Sequence, residues 1–239
     1  MSTPKQIART NRLLSELPPA EYERLKPHLR PVSLELRQIV FRPDDCIQLV
    51  HFPTTSIISF LTELSDGTGM EVGLVGYEGM AGVSAILGGT ETKLATVQAQ
   101  GEAVAMAADV LREEFHRGGA FQVALLRYTH ALISQISQSA VCAVRHSVEA
   151  RLSRWLLMYH DRLERDDFEL THEFMAAMLG VRRASISEVA MRLQEKGFLI
   201  YERGHIRIID RQGMERFVCE CYPVVKEFFD NLHLTSTRH

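Results

Sequence analysis

The chain has 239 residues, 46% of them hydrophobic and 24% charged, with a net charge of −3; these totals fit a globular protein of two modest domains and a connector. No apolar run approaches the ~18 residues of a membrane-spanning helix, and the opening MSTPKQIARTNRLL lacks the apolar segment of a secretory signal. Four scattered cysteines, Cys46, Cys142, Cys219 and Cys221, argue against a disulfide scaffold, so the expectation is a cytoplasmic protein with no membrane partner.

Residues from about 4 to 30 carry helical patterning broken at Pro18-Pro19 and Pro27. From Pro31 to about Ala108 the texture changes to short β-type runs. Val32, Leu34 and Leu36 alternate, as do Ile39 and Phe41, and SIISFLTEL and MEVGLVG read as strands divided by a Ser65-Asp66-Gly67 turn. Val97, Ala99, Val104 and Met106 continue the pattern, and strands so short and regular predict a small barrel or roll.

After Gly118-Gly119 the period becomes helical. Phe121 to Val144 predicts one helix, roughly 36 Å long at ~1.5 Å per residue, with two apolar stripes. One comprises Leu125, Tyr128, Leu132 and Ser139; the other, offset, comprises Leu126, Ile133, Ile136 and Ala140. One stripe can pack on the roll, and the other needs a partner, most simply a parallel copy of the same helix. The first stripe is assigned here to the dimer interface, although the pattern alone does not choose between the two. A break near Arg145-His146 precedes a further amphipathic helix through Trp155 to about Leu163, and a charged ERDDFE connector follows.

The most informative stretch is Thr171 to Ile209. Thr171 is suited to cap a helix on which Phe174, Met175, Met178 and Leu179 recur at helical spacing, and Gly180 supplies the freedom for a sharp turn. A second helix would bury Ile186, Val189, Ala190 and Leu193 and present Arg182, Arg183, Ser185, Ser187, Glu188 and Arg192; Gly197 ends it. Phe198–Tyr201 and Ile206–Ile209 then read as strands around a Glu202-Arg203-Gly204-His205 turn. From Gly180 to Arg211 seven Lys/Arg stand against four Asp/Glu, a local +3 where a polyanion would dock. The pattern predicts a winged helix-turn-helix, with double-stranded DNA as first partner.

Other chemistries find less support. No nucleophile elbow, Walker loop or HExxH motif occurs, so no catalytic residue is expected, and an enzyme built on the roll is a remote alternative. Cys142 and His146 stand at i,i+4 on a helix and Cys219-x-Cys221 forms a thiol pair, but neither pair completes a tetrahedral set, so structural cysteines and no metal are expected.

The order of small helices, roll, long helix and winged helix-turn-helix resembles the Crp/Fnr superfamily of bacterial transcription regulators over nearly the whole chain. The resemblance is most specific in LTHEFMAAMLGVRRASISEVAMRLQEKGFL. It implies an α+β protein with a cyclic-nucleotide-binding-like roll domain at 1–118, a dimerisation helix at 119–145 and a winged helix-turn-helix domain with a tail at 146–239. It also implies a homodimer placing one recognition helix per subunit in the major groove, at half-sites about one helical turn apart. RNA polymerase joins the partners if the protein activates.

In that family the reading residues follow Arg-Glu-x-x-x-Arg. The matching positions are Arg183, Ala184 and Glu188, so a guanine contact is kept while the acidic partner and the last arginine are lost, and a different site sequence is implied. Thr171, Arg182, Ser185, Ser187 and Arg192 are further candidate contacts, and Arg203 and His205 on the wing suit the DNA backbone. The family's nucleotide cassette is degenerate: Gly82-Val83 replaces Gly-Glu, and Lys93-Leu94-Ala95 replaces Arg-Ser-Ala. Val83 accepts no ribose hydrogen bond and Lys93 lacks the planar fork that grips phosphate, which argues against a cyclic nucleotide. Only Cys46 lies in the first hundred residues, against an iron–sulfur sensor of the oxygen-sensing branch. No cofactor is therefore expected, while haem on a histidine such as His51 or His116, or another small-molecule effector, stays open.

Overall fold

The computed structural model describes residues 11–233. Expectations for residues 4–10 and for the end of the tail fall outside them. Two short helices, α1 (Arg12–Ser15) and α2 (Pro19–Leu25), precede a roll of seven strands. These are β1 (Arg30–Leu34), β2 (Ile39–Phe41), β3 (Leu49–Pro53), β4 (Ile57–Glu63), β5 (Gly69–Val75), β6 (Leu94–Ala99) and β7 (Gly101–Ala107), with α3 (Ser84–Leu87) between β5 and β6. They form two antiparallel sheets, ordered β1-β7-β3 and β2-β6-β4-β5. Buried Phe52, Ile57, Ile58, Leu74, Val97 and Met106 are among the core residues, and β4 is buried on both faces from Ile57 to Phe60, with elements packed on either side of its sheet.

Helix α4 (Ala108–Arg117) ends at Gly118-Gly119, both at positive φ, and the long helix α5 (Ala120–Arg145) begins at once. Its first orphan N–H groups, of Ala120 and Phe121, donate to the Glu21 carboxylate at 2.9 and 2.8 Å. Against the roll, Gln135 Oε1 accepts from Leu74 N at 3.0 Å, and Tyr128 OH donates to the Met80 carbonyl at 2.7 Å. The Tyr128 ring lies so close to Gly79 that a Cβ there would fall 2.1 Å from it.

The two stripes of α5 divide opposite to expectation. Leu125, Tyr128, Leu132 and Ser139, assigned to the dimer interface, are buried in their own subunit. Leu126 and Ile133 of the other stripe, with Val123, Val141 and Val144, are exposed. The roll claims the stripe carrying Tyr128, whose hydroxyl reaches Met80.

Helix α6 (Val148–Leu163) starts on Ser147, whose hydroxyl accepts from Ala150 N at 3.3 Å. Then come β8 (Asp167–Glu169), α7 (His172–Leu179), α8 (Arg183–Glu195), β9 (Leu199–Glu202), β10 (His205–Ile208), α9 (Arg211–Phe217) and α10 (Cys221–Asp230). The ERDDFE connector thus contains a strand: β8 adds to the wing as a β8-β10-β9 sheet, burying Phe168. The helix-turn-helix unit leans on the roll. Trp155 Nε1 donates to Glu71 Oε1 on β5 at 3.0 Å, and Trp155 stacks on Tyr159 at 5.3 Å. Among the described residues no helix is long and apolar enough to cross a membrane.

Candidate nucleic-acid interface

Local chemistry builds the helix-turn-helix. Thr171 Oγ1 accepts from Phe174 N at 3.1 Å and caps α7. At the other end Gly180 takes the left-handed conformation (φ 60°), with Gly180 N bonded to Ala177 O at 3.2 Å and Val181 N to Ala176 O at 3.0 Å. This Schellman pattern satisfies the last carbonyls of α7 and turns the chain into α8. The guanidinium of Arg151 on α6 donates to the Leu179 carbonyl, placing a buried cation at the helix C-terminus. Helix α8 buries Ile186, Val189, Ala190 and Leu193, as the spacing predicts.

The wing hairpin turns on Arg203 and Gly204, at φ 50° and 87°. Two successive left-handed residues make a two-residue turn whose twist matches the flanking strands. Along β10 the exposed His205 and Arg207 alternate with buried Ile206 and Ile208. Sequence reasoning passed over Arg207, although this alternation reveals it.

The candidate contacts fall into two groups. Arg182, Arg183, Glu188, Arg203 and His205 are exposed, and Ser185 is half-buried at the start of α8. Among the described residues no ion pair engages Arg182, Arg183, Arg203 or Arg207. The other three candidates have duties inside the chain. Thr171 is the cap already described. Ser187 Oγ, half-buried, bonds to His172 Nδ1 at 2.8 Å and to the Arg183 carbonyl at 3.2 Å, tying α8 to α7. Arg192 Nε pairs with Glu149 at 3.5 Å. His172 stacks on Tyr201 at 4.0 Å, and burial followed by the Arg183 charge holds its imidazole below the ordinary range.

Three of the four residues assigned to a degenerate effector pocket lie together. Gly82, Val83, Ser84, Glu91, Lys93 and Ile133 help line a cavity of about 210 Å³ between the roll and α5. Leu94 opens β6 and is not among the lining residues. Sequence reasoning missed Glu91. Its buried carboxylate accepts from Thr92 N at 2.8 Å, Lys93 N at 3.2 Å and Ser84 Oγ at 3.0 Å. These three donors are thus occupied by a carboxylate of the chain itself. Neither histidine considered for haem lines this cavity. His51 sits beside Phe41, where burial pushes its pKa down to about 4, and His116 Nδ1 bonds to the Arg112 carbonyl at 2.7 Å.

The structure brings together two side-chain pairs that the sequence leaves apart. The pairs Cys142/His146 and Cys219/Cys221, each incomplete alone, lie together, with their ligand atoms all within 4.8 Å of one another. The chain between α5 and α10 folds back to join them.

Comparison with known proteins places this geometry. Residues 150–217 match the model of the Crp-like helix-turn-helix domain. FixK2 from Bradyrhizobium japonicum superposes with a TM-score of 0.70 at 15% identity, over 80% of this chain and 98% of that one. The c-di-GMP responsive global regulator CLP of Xanthomonas campestris gives a TM-score of 0.61 at 17% identity, over 80% and 99%. A CRP-family transcriptional regulator from Thermus thermophilus gives 0.61 at 18% identity, over 78% and 95%. No curated protein matches the chain in sequence. At these identities the superpositions speak for the fold, and the matched segment speaks for the recognition unit: the chain carries a Crp-like helix-turn-helix domain on a Crp/Fnr-type fold.

Proposed function

We propose that the protein is a sequence-specific transcription regulator that binds a palindromic duplex site as a homodimer and does not depend on a cyclic nucleotide. The observation that carries the reading is the cationic edge: Arg182 and Arg183 at the start of α8, with Arg203 and Arg207 on the wing, stand exposed and without ion pairs among the described residues. The exposed apolar stripe of α5, from Val123 through Leu126 and Ile133 to Val144, supports the dimer. Glu91 supports effector independence, because a phosphate entering the cavity would meet its charge.

Selection of bound sequences from a random duplex library tests the reading. The expected result is a two-fold symmetric site whose affinity falls steeply with salt. Arg183→Ala is expected to cost about 1–3 kcal/mol and to relax preference at one base pair, as loss of a guanine contact does. Arg203→Ala should weaken all sequences alike and flatten the salt slope. If both variants lose affinity uniformly, the assignment of Arg183 is wrong. Cyclic AMP and cyclic GMP should give flat calorimetric titrations, and binding to the selected site should not require them.

A second reading, sensing of an uncharged small molecule, draws on the apolar part of the same cavity, where Phe60, Leu132, Ile133 and Ile136 meet. The visible spectrum of the pure chain separates its haem-bearing form from the rest.

A further inference from the structure

We propose that Cys142, His146, Cys219 and Cys221 form a closed zinc site that fastens the end of α5 to the start of α10. Cys142 lies in the last turn of α5 and His146 is its C-cap, so one helical turn stacks the two side chains. Cys219 precedes α10 and Cys221 is its first residue. Three thiols and an imidazole are a donor set of closed, four-coordinate zinc sites.

Two of the six edges match those of a tetrahedron, and all six lie within 4.8 Å. With metal–sulfur bonds of about 2.3 Å and metal–nitrogen bonds of about 2.05 Å, its edges are about 3.8 Å between sulfurs and about 3.5 Å between sulfur and nitrogen. Cys142 Sγ and Cys219 Sγ are 3.8 Å apart, and Cys221 Sγ and His146 Nδ1 are 3.5 Å apart. A disulfide would need its sulfurs about 2.05 Å apart and would leave the other two donors idle.

The surroundings are those that metal ligands require. His146 Nε2, the nitrogen turned away from the thiols, lies 3.3 Å from Glu220 Oε2, which fixes Nδ1 toward the cluster. Gln138 Nε2 donates to Cys221 Sγ at 3.0 Å, a bond that stabilises a thiolate. Cys142 and Cys221 are buried, while His146 and Cys219 are half-buried and leave an entry path. On binding, each thiol gives its proton to solvent and its sulfur lone pair to the ion; no oxidant or reductant takes part.

The test uses the full chain, purified without chelator and kept reduced. Elemental analysis should find about one zinc per chain. After chelator treatment, Co²⁺ titration should produce thiolate-to-cobalt charge-transfer and tetrahedral d–d bands that saturate at one equivalent and vanish on adding Zn²⁺. Cys219→Ser and His146→Asn should each abolish that signature while circular dichroism stays native. Cys46→Ser, on the distant roll, should leave it intact. Glu220→Gln should retain the bands and weaken zinc binding about 10–100-fold. Metal-free protein that also shows no tetrahedral cobalt bands would overturn the proposal. So would bands that persist in both ligand variants.

Discussion

Glu71 is a carboxyl group fully enclosed by the packing of α6 on the roll, with Ser59, Gln98 and Trp155 donating to it at 2.6, 2.6 and 3.0 Å. Burial, opposed by those three hydrogen bonds and the Arg154 charge, raises its pKa from 4.5 to about 7. The unfolded chain releases this proton near pH 4.5 and the folded chain near pH 7, so between them the folded state holds more protons. Stability therefore falls as pH rises across that window, by up to about 3 kcal/mol. Glu71→Gln keeps the shape and removes the titration: thermal melts at pH 5 and pH 8 should differ less than in the parent, and a difference that stays the same refutes this account. At this scale the sequence is a partial guide. Spacing announces Arg183 and Arg203, because exposed positions on α8 and the wing follow from pattern. Glu71 and Glu91 stay hidden, since a carboxylate in a strand or loop reads as solvated until the neighbouring backbone is in place. The four donors at Cys142, His146, Cys219 and Cys221 fail for the same reason, because long intervening chain separates the halves and only tertiary folding joins them.

The long helix shows what patterning settles about an element and what it leaves open. Period and flanking glycines fix its existence and ends within a residue or two, yet two apolar stripes are equally good candidates for the core. What decides is close approach: Gly79 makes room for the Tyr128 ring, and Gln135 reaches the Leu74 amide. Ile133→Glu, on the exposed stripe, should shift the protein to monomer in sedimentation at micromolar concentration while helicity is kept. Leu125→Ala, on the buried stripe, should leave assembly alone and cost about 2–5 kcal/mol in urea denaturation. If the two variants exchange these phenotypes, the inward and outward faces have been misassigned. The wing's third strand leaves no such trace in the pattern. Strand β8 has three residues and a single inward side chain, Phe168, too little for any periodicity to register.

Across the whole molecule, the roll and the helix-turn-helix unit are joined by buried polar contacts as well as apolar packing. Arg162 Nε on α6 lies 2.7 Å from Glu78 Oε1 on the roll, both side chains about 6% exposed, and the same guanidinium sits 5.4 Å over the Phe229 ring of α10. Glu78→Ala would leave that cation buried and unpaired, with an expected loss of about 3–5 kcal/mol in denaturant unfolding. A loss no larger than that of an exposed pair would show that water reaches Arg162 and that the junction is open. The same junction gives the protein an optical probe of its own. Trp155 is the single tryptophan of the chain, and it lies 2% exposed between Glu71 and Tyr159 at the seam of the two parts. Its emission should be blue-shifted while the seam is closed and should move to the red when α6 lifts from β5 and water reaches the indole. Ligand entry, DNA capture or a change of pH that loosens the seam would each be readable as intrinsic fluorescence, without a label.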